Sequence, residues 1–300
     1  MSRMYRWAGV VGLIASMALV SGCGQKPPKA EKPPAPAPPK ETISVMVPCG
    51  QVGPFSEVEK KLFSKANPGV ELDWVPENMV PIVKKILDGK ATPDVVLTMG
   101  DLEMDQLEKG GMLLEGTRTR IAENALAITT PGNNPGKVSG LADLAKPAVK
   151  TISIPNPELN SVGKHAIEAL KAAGIWGKVE KKIAYPQFAA DGKDVAAAGQ
   201  VEAAIAYYPC VTEVHIPGQT PAKPKNLKLI GMIPQKLYTQ FWCEAAVLKT
   251  AKNPEGGKKL LAALQSPEAQ KIYRGWSFVS SPTAGGQAPE GQAGKAPAGP

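Results

Sequence analysis

The cysteines and histidines have the widest chemical reach in this chain. Cys49, Cys210 and Cys243 lie 161 and 33 residues apart, spacings that fit neither a zinc finger nor a Cys-x-x-Cys pair. In an oxidising compartment two of them can join as a disulfide and leave the third free. Each can equally serve as a small buried apolar residue. His165 falls in the first turns of a helix expected from Asn160, and His215 in a loop before Ile216-Pro217-Gly218. With only two histidines and no His-Glu-x-x-His, the chain argues against a hydrolytic zinc site. It also lacks a Gly-x-Ser-x-Gly, a P-loop and a Gly-x-Gly-x-x-Gly. A thiol enzyme pairing Cys49 with His165 stays open. Trp74, Trp176, Trp242 and Trp276 read as packing residues, and Trp242, beside Cys243, is placed to report on closure.

Those residues must be carried by alternating strands and helices. Ile43–Val47 is a short apolar run before Pro48-Cys49-Gly50, so it reads as a buried strand ending in a turn. Ser56 and Glu59 have capping-box spacing ahead of a helix that stops at Asn67-Pro68-Gly69. Val70–Val75 alternates as a strand, Met79–Leu87 is a helix, Asp94–Met99 a buried strand and Leu102–Lys109 a helix. Further strands are expected at Ala125–Thr130, Thr151–Ile154, Lys182–Tyr185, Ala203–Tyr208, Leu227–Ile230 and Cys243–Leu248. Helices are expected at Asn160–Ala173, stopping at Gly174, at a helix end over Val195–Gly199, and at Pro254–Leu264 and Pro267–Trp276. Such alternation implies mainly parallel sheets covered by helices, with enough units for two compact lobes. Open α/β sheets bind ligands beyond the carboxyl ends of strands, against helix N-termini. That rule nominates the loops Pro48–Gly53, Pro155–Gly163 and Tyr207–Cys210.

The ends of the chain are of another kind. Met1–Gly22 has Arg3 and Arg6, then an apolar run from Trp7 to Val20 that is too short to cross a bilayer as a helix. Leu19-Val20-Ser21-Gly22-Cys23 resembles the bacterial lipobox, which implies cleavage before Cys23 and its acylation. Residues 24–41 hold seven of the thirty prolines, as befits an extended tether. From Gly285 the chain is Gly/Ala/Pro-rich, the composition of a solvated tail. The formal charge of +8 includes the signal arginines and four tether lysines against two glutamates. The rest is only mildly basic and has no long basic run, so nucleic-acid binding is not indicated. Five per cent aromatic residues also argues against a stacking platform for bases or long sugars.

The core resembles the molybdate/tungstate-binding branch of the type II periplasmic solute-binding proteins of ABC importers. The residues that carry the resemblance are ISVMV with its Gly-containing turn, ATPDVVLTMGDLEMDQLEKGGML, NALAITTPGN, IPNPELNSVGKHAIEALKAAGIW, AAIAYYPC and FWCEAAVLK. It implies an α/β protein of two lobes joined by two crossing strands, near Ala125–Thr130 and Cys243–Leu248, with the ligand cleft between the lobes. Residues 42–125 and 249–281 would form the first lobe, and 126–248 the second. The family holds a tetrahedral oxyanion with backbone N–H groups and hydroxyls. Carried over, Cys49 and Gly50 occupy the first turn, Asn78 the second, Ser161 and Val162 the helix-entry loop, and Tyr207 the site of the tyrosine that completes the pocket. The family's serine-rich first turn is Pro48-Cys49-Gly50-Gln51 here, and its second serine cluster is Pro76-Glu77-Asn78-Met79. A glutamate beside a dianion is unfavourable unless it points away.

The same template brings Cys49, Cys210 and Cys243 around the cleft, where three thiolates would suit Cu(I) or arsenite. The expected function is therefore a lipid-anchored substrate-binding protein, monomeric and extracytoplasmic, that passes a small inorganic anion to a membrane permease with its ATPase. No catalysis and no cofactor are expected. A thiophilic metal or metalloid site built on the three cysteines, or a thiol-dependent enzyme or redox protein, are the alternatives.

Overall fold

The computed structural model describes residues 41–186, 189–212 and 225–279. The expected signal, Cys23 with its tether up to Lys40, His215 and the tail from 282 lie outside the described residues. The strands are β1 (Glu41–Pro48), β2 (Val70–Glu77), β3 (Val95–Thr98), β4 (Thr119–Asn124), β5 (Leu126–Pro131), β6 (Ile152–Ser153), β7 (Ile183–Ala184), β8 (Ala203–Tyr207), β9 (Leu227–Met232) and β10 (Phe241–Val247).

They form two five-stranded sheets on one plan, ordered β2-β1-β3-β10-β4 and β7-β6-β8-β5-β9. In each, three parallel strands are followed by two that run antiparallel to their neighbours. Burial follows position in the sheet. Central β3 is buried at every residue, whereas edge strand β2 alternates and leaves Val75 exposed. The two-lobed α/β architecture expected from the sequence is the one observed.

The chain passes between the sheets twice. β4 ends at Asn124 on the edge of the first sheet, and after Ala125 the chain continues as β5 inside the second. It returns between β9 and β10. The expected second-lobe range 126–248 therefore needs correction, because β10 pairs with β3 and β4 in the first sheet. Its apolar run FWCEAAV is buried at six of seven positions, as an interior strand requires. One apolar cluster continues through the crossing, from Val47 by way of Phe241 and Tyr207 to Leu170.

Local chemistry explains most element ends. Pro254 and Pro267 open their helices, where a missing N–H costs nothing, and Asn253 and Ser266 cap them. Ser56 and Glu59, by contrast, do not cap a helix. The chain turns into a 3-10 turn at Cys49–Gln51 straight after β1 and continues as helix from Val52, so Ser56 is buried inside that helix. Pro54 in the first turn tolerates this earlier start.

Asp94 ties the first lobe together. Its carboxylate accepts from Ser44 N and Ser44 Oγ, both at 2.7 Å, and from Asn253 N at 2.8 Å. It thereby joins β1, the start of β3 and the Pro254 helix. Asp94→Ala leaves buried donors without acceptors and is expected to lower the unfolding free energy by about 3 kcal/mol, read from urea denaturation.

Candidate solute cleft

The helix Ser161–Ala172 enters from an extended Asn160, whose Oδ1 accepts from Val162 N at 2.9 Å. This is an asparagine N-cap. It uses the Val162 N–H, so Val162 is a capping partner and not the free donor that the family pattern implied. The adjacent Ser161 N–H points the other way, across the cleft.

It meets a carboxylate of the same chain. Glu103 lies in the first turn of the helix Asp101–Lys109, which packs on the first sheet, and it is fully buried. Its Oε1 accepts from Ser161 N at 3.1 Å, Asn160 Nδ2 at 3.1 Å and the Tyr207 hydroxyl at 3.4 Å. Its Oε2 bonds Ser161 Oγ. Residues expected to hold a solute anion, Ser161 and Tyr207, thus converge on a carboxyl group from the opposite lobe. Burial pushes the Glu103 carboxyl up, against the lowering effect of the Ser161 bonds. Hydrogen-bond counting points the same way. Ser161 Oγ already receives Leu102 N at 3.1 Å and faces Asp101 Oδ1 at 3.3 Å as well as Glu103. A single hydroxyl proton cannot serve two carboxylates, whereas a proton on Glu103 satisfies both contacts.

Asp101 and its partners complete the contact between the lobes. Its carboxylate bonds Lys164 Nζ at 2.8 Å and His165 Nε2 at 2.9 Å, both from the Ser161 helix. Burial pushes the Asp101 carboxyl up, but His165 and Lys164 outweigh it and hold it well below the usual carboxylate range. Gln106 Nε2 donates to Glu158 O at 2.9 Å beside them. The approach is close because residue 100 is glycine. A Cβ there would stand 2.0 Å from Ser161 Oγ and 2.2 Å from Ser161 Cβ.

The cysteines play a different part. Cys49 is exposed, Cys210 half-buried and Cys243 buried in β10, and all three are free thiols. A Cβ on Gly50 would touch Cys210 Sγ and the Met99 methyl, both at 2.8 Å, so first-lobe turn and second-lobe thiol are packed together. Cys243 Sγ bonds Asn124 Nδ2 at 3.5 Å. Burial pushes the Cys210 thiol up to about 12 and Cys243 well above its ordinary value, and it raises Cys49 too. Metal binding and nucleophilic attack need thiolates. Among the described residues no group of three or more His, Cys, Asp or Glu is arranged to hold a metal ion. The three-cysteine metal set expected as an alternative is therefore not assembled. His165 has both ring nitrogens engaged, by Asp101 and by Glu168 at 3.0 Å, and stacks on Phe241, so it is no partner for Cys49.

Asn78 sits at the start of the Met79 helix with no side-chain capping bond and does not join the Glu103 cluster. Glu77 beside it is held by Lys85 at 2.7 Å, which relieves the like-charge conflict raised by the sequence. A cavity of about 640 Å³ opens between that helix and Leu159 and Tyr185 of the second lobe. Its lining is mainly apolar, and Lys84, Lys85 and Lys90 around it are already paired with Asp88 or Glu77. Trp242 lies under the Arg120 guanidinium, 3.6 Å from its ring centroid, and is a packing residue.

Glu103, Asp101 and Asn160 were not singled out by residue type. In sequence Glu103 and Asp101 look like ordinary acids in the first turn of an amphipathic helix, where the macrodipole favours them. The one local signal was Gly100 just before them.

A two-lobed α/β molecule with neutral donors converging between its lobes is the architecture of a solute-binding protein. The bacterial extracellular solute-binding protein family matches residues 43–279, and the chain belongs to that family. YvgL of Bacillus subtilis (strain 168), which carries the name of an ABC-transporter substrate-binding lipoprotein, is 21% identical over 90% of this chain and 96% of its own. The molybdate-binding protein ModA of Azotobacter vinelandii is 25% identical over 62% of this chain and 70% of its own. The solved periplasmic molybdate-binding protein of the same organism superposes with a TM-score of 0.64 at 17% identity, covering 80% of this chain and all of that one, which is a likeness of fold.

Proposed function

We propose that this chain is the substrate-binding lipoprotein of an ABC importer and captures a small inorganic oxyanion of the molybdate or tungstate kind between its lobes. Cys23 would anchor it to the membrane, a monomer on a proline-rich tether, and a permease with its ATPase would receive the solute. Binding, with no catalytic step, accounts for the cleft.

One observation carries this reading. Ser161 N, Ser161 Oγ, Asn160 Nδ2 and the Tyr207 hydroxyl are all uncharged groups, and together they surround the carboxyl oxygens of Glu103 at the N-terminus of a twelve-residue helix. Neutral donors and a helix terminus can bind a small anion without a counter-ion. The names of YvgL and ModA agree with a transport role and an oxyanion solute.

The test is thermal unfolding of the full chain against molybdate, tungstate, sulfate, phosphate, arsenite and Cu(I), with thiols kept reduced. A solute that binds only the folded form adds about 2.7 kcal/mol at one hundred times its dissociation constant. A shift with molybdate or tungstate supports the reading, and a shift with arsenite or Cu(I) alone overturns it. In the same assay Cys49→Ser and Cys210→Ser are expected to leave the oxyanion shift in place, because neither thiol bonds the donor set.

A further inference from the structure

We propose that Glu103 is a tethered competitor of the solute: its carboxyl group fills the anion site and latches the lobes together when no solute is bound, and the solute enters by displacing it. The proposal rests on the oxyanion-binding reading above and adds to it how the site is regulated.

The geometry is asymmetric in a telling way. Glu103 belongs to the first lobe, and the side-chain partners of its carboxyl group, from Asn160, Ser161 and Tyr207, together with the Ser161 N–H, belong to the second; from the first lobe its own backbone N–H adds to them. A carboxylate contributed to the core of its own lobe would be satisfied within that lobe, as Asp94 is. A fully buried acid with only neutral donors is an unfavourable device for stability alone. It is the arrangement expected if the donors exist for an external anion and the side chain occupies their place. Gly100 lets Ser161 come close enough for the exchange, and no backbone change is needed to withdraw the acid, since parting the lobes carries Glu103 out with its helix.

Because the competitor is covalently attached, its effective concentration is high whenever the lobes meet. A solute must therefore work against it, and the measured affinity is that of the empty site reduced by the fraction of molecules in which Glu103 has left. The latch makes the closed shape itself an unreliable sign of loading, so a permease partner would have to distinguish a site holding Glu103 from one holding solute.

Hydrogen–deuterium exchange of the full chain tests the latch without any solute. In the solute-free protein the segments 101–109 and 156–166 are expected to be protected. Glu103→Ala should unprotect both, and acetate, which replaces the missing carboxyl group, should restore protection in that variant and have no effect on the native chain. Oxyanion affinity of Glu103→Ala, measured by titration calorimetry, should rise about tenfold or more. Ser161→Ala provides the second variant: it removes a donor to both occupants, so it should loosen the same segments and weaken oxyanion binding. If Glu103→Ala folds and leaves both segments as protected as before, the latch is overturned. The same holds if that variant fails to fold and Ser161→Ala leaves them protected. Loss of protection with acetate rescue, but no oxyanion binding in either form, would uphold the latch and overturn the oxyanion reading.

Discussion

Replacing Gly100 by alanine is expected to hold the lobes apart. The added methyl would stand 2.0 Å from Ser161 Oγ and 2.2 Å from Ser161 Cβ, distances that no rotamer of a serine fixed at a helix N-terminus relieves. Gly100 is in extended backbone (φ −161°, ψ 174°), which alanine adopts freely, so the first lobe's backbone is not strained. The severe clash lies between the lobes, and within the first lobe the methyl comes only to 3.0 Å of Glu103 Oε2, the movable end of a side chain. Small-angle scattering of the full chain should show a larger radius of gyration with and without solute. If the closed population falls to about one per cent, solute affinity falls about a hundredfold. Unfolding by denaturant should change little. An unchanged affinity would place the solute away from this contact.

The second large effect is a pH dependence of closure with two opposed limbs. Glu103 has a raised carboxyl in the closed form, from burial, and an ordinary one once the lobes part. Its contribution is complete below the ordinary glutamate value of about 4.3 and is lost as pH rises through the raised value. Asp101 is shifted the other way by His165 and Lys164, after the upward push of burial. Its contribution is present above about 3.9 and is lost as pH falls toward its depressed value. The charged and titratable groups around this pair are Lys164, His165 with its partner Glu168, and Tyr207 from the second lobe, and Cys243 and Glu244 from β10. Closure of the solute-free protein should therefore be strongest in mildly acidic solution. Glu103→Gln should flatten the alkaline limb and Asp101→Asn the acidic one, read by scattering across the pH range. A profile that neither variant alters would show that closure does not depend on these two acids.

Much of the architecture was legible because it rests on short-range rules. The Met79–Leu87 helix has the bounds that periodicity and Asp88-Gly89 indicated, and β3 and β8 lie where the apolar runs lie. The helix expected from Asn160 begins there, with Asn160 as its cap. β4 was missed because TRIAEN has no apolar alternation; it becomes a strand by pairing with β10, more than a hundred residues away. Ser56 and Glu59 fitted a capping box by spacing, yet the helix began earlier, because the 3-10 turn at Cys49–Gln51 runs straight into it.

Composition and periodicity thus determined the class of molecule: two α/β lobes, with donors on loops after strands. Those are properties of single segments, and each segment carries its own signal. What occupies the donors was decided by tertiary structure alone. Glu103 and Ser161 are 58 residues apart and sit on different lobes. Nothing in a first-turn glutamate distinguishes one that faces water from one that fills a neighbour's anion site. The difference lies in the rigid-body meeting of two helices at Gly100, set by packing across the whole interface, and that meeting is what turned an ordinary acid into the buried partner of Ser161, Asn160 and Tyr207.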